Sequence, residues 1–292
     1  MNLNKADLLL IDNLKKLTTE GLYSTDENPR GRYESDGAPA HSRFITHSFE
    51  TYNLSEGEFP IPTLLDTAHK MGLKEMLWIY QDQSNELSLL KEKYNVHWWD
   101  LWDIGDGTIG QRYGATVKKY DLMNKLLDGL LNNPFGRRHV MSMWQDEDFN
   151  TPGLNPCAFL TEWAFRKRGP NGYYLDLMLH QRSNDYITAG YINKTQYVQL
   201  LMLVVGHLRF HGVDVRVGKF SHYTNNLHIY DRHIDLAEHI LNLSITSDSA
   251  TSYQFPTYTL KAEKNFYDYT VDDIETSDYL FFKKPYKPEL AV

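Results

Sequence analysis

A chain of 292 residues, 41% hydrophobic and 13% aromatic, can fill a sizeable core, which excludes a disordered polymer and leaves room for one large domain or two ordinary ones. A net charge of −8 excludes a broad nucleic-acid surface, because a phosphate backbone needs a basic face, so RNA binding is not indicated. One cysteine excludes an internal disulfide and any thiolate zinc cage, and it fits a reducing, cytoplasmic location.

Residues 3–20 are predicted to form an amphipathic helix that stops before Gly21. The apolar run Leu8 to Ile11 is too short for a secretory signal. The run Leu200 to Val205 is far below the ~20 residues that span a bilayer, so no membrane association is expected. Residues 24–41 are polar and rich in Gly and Pro, a long loop of the kind that carries function, and they contain Arg30 and Arg32. Helices are predicted over 62–80 and 115–132, and a strand over 138–144. The stretch "AFLTEWAFR", the turn "KRGPNG" and "YYLDLMLHQR" read as a hairpin; in its second arm Tyr173, Leu175, Leu177 and Leu179 alternate with their neighbours. Tyr197, Leu200, Leu201, Val204, Val205 and Leu208 make one continuous helical stripe. A strand, "VGKFSHYTNNLHIY", and a helix, "DRHIDLAEHIL", follow. No Pro/Gly/Ser linker divides 60 from 245, so the reading is one α+β domain, 1–292, with helices covering a large mixed β-sheet.

Cys157 follows Pro156 and precedes the first arm of the hairpin. A lone cysteine is more often a small buried hydrophobe than a reagent. With a free-thiol pKa of about 8.5, a working nucleophile needs a positive neighbour. Arg182, at the end of an apolar strand, is a candidate for it, and Ser183 adds a second anion donor. Arg137 and Arg138 in "FGRRHV", with Arg30 and Arg32, extend the supply of guanidinium forks that match phosphate oxygens. His228 and Tyr230 are two apart on a predicted strand, so they share a face and can read a hydroxyl together. His228 and His233 lack cysteine or carboxylate partners at metal spacing, so no metal site is expected. Glu75 interrupts an apolar helix near Trp78; it either reaches solvent or sits in a pocket suited to proton transfer. The "HWWDLW" cluster is core or a flat wall for a fused-ring ligand.

Taken in chain order, Pro156–Cys157, "QRSND", Asn193, "HIY" at 228–230, "RR" at 137–138, "KEMLW" at 74–78, "WWDLW" at 98–102 and "GQRYG" at 110–114 resemble the thymidylate synthase family, from about Arg30 to Val292. The closing "FYDYTVDDIE" and "ELAV" extend the likeness. The wording is similar to a bacterial and phage branch that keeps "RSND" and lacks histidine after the catalytic cysteine, where Ala158 stands here. The resemblance implies reductive methylation of dUMP to dTMP by 5,10-methylenetetrahydrofolate, released as dihydrofolate, without a metal, in a homodimer joined through a sheet face. Cys157 would add to uracil C6. Arg182, Ser183 and Arg30 would hold the phosphate, with Arg137 and Arg138 supplied by the other subunit, and Arg182 would also favour the thiolate. Asn193 would read the uracil edge, and His228 and Tyr230 the 3′-hydroxyl. Glu75, with Tyr113 nearby, would move protons. Trp99 and Trp102 would face the folate ring, Asp185 would bind its pterin, and the tail ending at Val292 would close over the site.

Two stretches depart from the family pattern. "TAGYIN" replaces the usual "LGxPFN" before Asn193, which implies a differently shaped loop, and Leu65 and Asp66 stand where basic residues often meet the folate tail. The nearest alternative is a dUMP hydroxymethylase on the same scaffold, with water in place of hydride. Relatives acting on dCMP usually carry Asp at the position of Asn193, which disfavours that base. A Cys–His hydrolase and a non-catalytic nucleotide or RNA binder are the rivals from other classes.

Overall fold

The computed structural model describes residues 3–24, 28–170, 172–246, 255–278 and 280–292. Asn4 opens helix α1 (Lys5–Thr19) with a capping box, its side chain accepting from the Asp7 N–H while the Asp7 carboxylate accepts from the Asn4 N–H. Ala6, Leu10, Leu14 and Leu17 form the buried stripe of that helix. Strand β1 (Leu22–Tyr23) and strand β2 (Ser42–Asn53) follow. The predicted helix over 62–80 is shorter: α2 spans His69–Tyr80. The reason is local, because the Thr63 and Leu64 N–H groups donate to the Asp7 carboxylate and hold that segment out of a helix.

Helix α3 (Leu87–Tyr94) comes next. The helix predicted over 115–132 is two helices, α4 (Gly114–Tyr120) and α5 (Leu122–Asn132), parted at Asp121, whose φ of 52° is left-handed. Strand β3 covers Val140–Ser142, less than the 138–144 expected. The hairpin is present as β4 (Ala158–Lys167) and β5 (Tyr173–Asp185), paired antiparallel with Lys167 opposite Tyr173. A π-helical turn at Tyr186–Gly190 leads into α6 (Tyr191–Phe210). Strand β6 (Val215–Tyr230), helix α7 (Ile234–Thr246) after a short 3-10 turn, and the small pair β7 (Tyr258–Leu260) and β8 (Ile274–Thr276) complete the described elements.

The main sheet has the order β1-β2-β6-β5-β4-β3. The pair β5–β6 is parallel and the others antiparallel, so the expected mixed sheet in an α+β domain is present. Helix α6 is the crossover that a parallel pair requires, and it lies between α2 and the sheet. Leu200, Leu201, Val204 and Leu208 are almost fully buried there, each contributing roughly 1.5–3 kcal/mol. This packing seats α6 on the sheet, and the π-helical turn joins its start to the end of β5. Among the described residues no helix is long and apolar enough to cross a membrane.

Candidate active site

The antiparallel register sets Ala158 opposite Gln181, so Cys157, one residue before β4, comes beside Arg182. The Arg182 N–H donates to the Cys157 carbonyl at 2.9 Å. Its guanidinium donates from Nε to the Pro156 carbonyl at 2.9 Å and from Nη2 to the Asn155 carbonyl at 2.7 Å. Arg182 therefore holds the cysteine loop as well as bringing charge to it. The parallel register pairs Ser183 with Asn226 and Asp185 with His228, which carries the "HIY" triplet to the same place. Arg182, Ser183, Asn226, His228 and Tyr230 border a hollow of about 370 Å³. Across Arg182 a second hollow of about 510 Å³ is lined by Arg30, Trp102, Trp144, Leu154 and Asn155.

His228 and Tyr230 share a face, as expected, with their rings edge-on at 5.0 Å. Asn226, two residues earlier on the same face, meets His228 Nδ1 at 3.0 Å. The period of two that links it to His228 and Tyr230 was the available signal for it. Burial pushes the Cys157 thiol up, while Arg182 and then Arg30 pull it down. Burial outweighs both guanidinium groups, so the net shift of the thiol is upward. The expected help from Arg182 is present but does not by itself make a thiolate.

Tyr113 reaches the cysteine from the other side, its hydroxyl accepting the Cys157 N–H at 3.2 Å. Its backbone, at φ 47° and ψ −108°, is in a region that costs a bulky side chain on the order of 1–3 kcal/mol, the kind of strain that clusters at working sites. Glu75 lies on α2 and is buried, which raises its carboxyl to about 7. The Trp98 indole N–H donates to Glu75 Oε2 at 2.5 Å and opposes that rise. Trp98 was not singled out from the sequence; its neighbours were. Trp102 borders the larger hollow, whereas Trp99 is buried behind it, its ring 5.4 Å from Trp102 and 5.1 Å from Tyr113.

Asn193 sits in the first turn of α6. Its Oδ1 accepts from Gln181 Nε2 at 3.0 Å and Asn184 Nδ2 at 3.2 Å, and its Nδ2 donates to Gln196 Oε1 at 3.0 Å. Gln181 in turn accepts from His222 Nε2 at 2.9 Å, which fixes the direction of the whole chain of amides. Asp185 ends β5 and caps the π-helical turn, accepting from the Thr188 N–H at 3.3 Å. Val292 is paired through its backbone with Arg32, at 2.8 and 2.9 Å, so the C-terminal tail lies along the loop that carries Arg30.

The family model for thymidylate synthase matches residues 11–292. The chain belongs to the thymidylate synthase family. It is 47% identical over 292 residues to the thymidylate synthase of Streptococcus gordonii strain Challis, covering 99% of this chain and 98% of that protein. It is 44% identical over 288 residues to that of Lactococcus lactis subsp. lactis strain IL1403, covering 98% and 97%. The solved structure of the thermostable thymidylate synthase A from Bacillus subtilis superposes with a TM-score of 0.85 at 29% identity, over 98% of this chain and 99% of that one. The family read from the ordered motifs is borne out, and the chain is an enzyme, a methyltransferase. Two of the arginines expected at a thymidylate synthase site lie elsewhere on this chain. Arg137 and Arg138 are exposed just before β3, and Arg137 borders a separate hollow with Phe135 and Glu162.

Proposed function

We propose that the protein converts dUMP to dTMP with 5,10-methylenetetrahydrofolate, giving dihydrofolate through a covalent Cys157–C6 adduct. The observation that carries the reading is the convergence of Arg182 and Ser183 of β5 with His228 and Tyr230 of β6 on one hollow, with Cys157 bonded to Arg182 and Asn193 bonded to Gln181 of the same strand. Addition of the Cys157 sulfur to C6 moves a ring electron pair to C5 and makes that carbon a nucleophile. Arg182 and Arg30 lower the cost of the sulfur anion and, with Ser183, hold the phosphate. Arg137 and Arg138 reach the phosphate of the partner subunit in a homodimer, which accounts for their distance from Cys157 on their own chain. The uncovered sheet face is the interface in this reading, and Phe49 of β2, 57% exposed, suits it.

Asn193 has one amide N–H left for uracil O4, and Oδ1 accepts from N3–H when Gln181 or Asn184 gives up its bond. His228 and Tyr230 take the 3′-hydroxyl. Glu75, with a pKa of about 7, holds or releases a proton near neutrality, and Tyr113 stands between it and Cys157. When bound, methylenetetrahydrofolate supplies the one-carbon unit and then the hydride. The Trp102 indole on the wall of the 510 Å³ hollow, beside Arg182, suits its fused rings. Trp99 backs that wall, Asp185 meets the pterin, and the tail at Val292 excludes water. Ala158, buried opposite Gln181, fits the branch without histidine after the cysteine. The dUMP hydroxymethylase alternative gains no support from the relatives, which are named as synthases. Incubation with 5-fluoro-dUMP and methylenetetrahydrofolate should leave a covalent adduct on the peptide containing Cys157, and turnover of dUMP should raise dihydrofolate absorbance. Turnover without dihydrofolate, or no adduct, overturns the reading.

A further inference from the structure

On the far side of the first turn of α6 lies a buried ion pair that none of the roles above uses. Lys194, the residue after Asn193, has a side chain only 1% exposed, and its Nζ is 2.9 Å from Glu50 Oε1 of β2, itself 3% exposed. The ammonium lies 4.1 Å from the ring centroid of Tyr191 and 4.5 Å from that of Tyr186. The Glu50 carboxylate also accepts from the Tyr52 hydroxyl at 2.7 Å and from Asn13 Nδ2 at 3.0 Å. The Tyr191 hydroxyl donates to the Ala6 carbonyl at 2.7 Å. One charge pair thus ties α1, β2, the π-helical turn and α6 together. Two of its members, Tyr191 and Lys194, fall in or directly after the "TAGYIN" stretch that departs from the family pattern.

Buried pairs of this kind add little net stability over apolar side chains of the same size, and their best-attested use is to fix a register. The register at stake here is the rotation of α6 about its axis. Successive helical residues are set about 100° apart, so anchoring residue 194 to β2 also fixes where the amide at 193 points. The amide is also held directly by Gln181, which His222 orients, by Asn184 and by Gln196. We propose that Lys194 and Glu50 are a positioning pair that sets the rotation of α6 and so aims the Asn193 amide at the edge of the uracil base. This rests on the reading of Asn193 given above.

The test is calorimetric titration of the full-length protein, with dUMP and with 2-deoxyribose 5-phosphate, which keeps the phosphate and hydroxyls and lacks the base. Lys194→Met is one variant. Glu50→Gln combined with Lys194→Met is the second, because it removes both charges together and keeps an acceptor for one of Tyr52 and Asn13. Both variants should bind dUMP about tenfold more weakly, the loss of one well-made hydrogen bond, and bind the abasic sugar phosphate as the parent does. Parent-like dUMP affinity in the double variant overturns the proposal. So does an equal loss for both ligands, which marks a merely structural pair. A parent protein that does not bind dUMP sinks the functional reading itself, a separate and visible failure.

Discussion

Glu50 and Glu75 are both buried carboxylates, 3% and 8% exposed, one on β2 and the other on α2. They differ in what surrounds them. Glu50 has an ammonium at 2.9 Å and accepts from a tyrosine and an asparagine, so its lone pairs and its charge are compensated. Glu75 accepts from an indole N–H and, among the described residues, has no ion pair; burial raises its carboxyl to about 7 against hydrogen bonding from Trp98, Trp99 and Gln196. A compensated buried charge is fixed, and fits holding helices in place. An uncompensated one balances near neutral pH, and fits proton transfer. The same side chain thus serves architecture in one place and chemistry in the other, and its partners decide which.

The largest effect that probes this contrast is on turnover. Glu75→Gln keeps the shape and the hydrogen bond from Trp98 but cannot carry the proton, so kcat should fall by about 10²–10⁴. The wild-type rate should show a titration near pH 7 that the variant lacks. Glu50→Gln should register first in stability instead. It strands the Lys194 ammonium between two rings without its counter-charge, a loss of about 3–5 kcal/mol for breaking a buried pair, read from urea unfolding. If Glu75→Gln is the variant that unfolds easily and Glu50→Gln is as stable as the parent, the assignment of the two glutamates is reversed.

Much of the fold was legible in the sequence, and the losses have physical causes. The β4–β5 hairpin and α6 announced themselves because burial on one face imposes a period on the chain. Strand β2 did not, since Arg43, Thr46, His47 and Ser48 line a surface that is only partly covered, and no alternation develops until Glu50 and Tyr52. The late start of α2 depends on Asp7, more than fifty residues upstream, capturing the Thr63 amide at 2.7 Å. The site divides in the same way. Cys157, Arg182, Ser183, His228 and Tyr230 were found because reactive or charged side chains at strand ends stand out. Gln181 is an ordinary amide with no such signal, Asn226 shows only through its period of two with His228 and Tyr230, and Lys194 acquires its meaning only when folding brings it against Glu50. Arg137 and Arg138 were legible as guanidinium forks, but their assignment to the other subunit's site rests on family resemblance alone, because on their own chain they stand just before β3, where Arg137 borders a separate hollow.

The smallest of the expected effects isolates Glu75 from every other group. Its carboxyl has an ordinary value of 4.5 and rises to about 7 in the folded protein. Between those values the folded state holds a proton that the unfolded state has released, so stability must fall as pH rises through this window. The contribution is complete below 4.5 and lost by the time pH has passed 7. The full difference amounts to about 3 kcal/mol, from 1.36 kcal/mol per pKa unit. His222 and His228, whose imidazoles burial pushes down, tilt stability the opposite way over part of the same range, so the wild-type curve alone is ambiguous. Subtracting it from the curve of Glu75→Gln removes the histidines, which both proteins share. The variant should gain on the parent steadily between pH 4.5 and about pH 7 and level off above it. A difference that stays level with pH means that Glu75 ionises as an exposed glutamate would, and the distinction drawn between the two buried carboxylates is then lost.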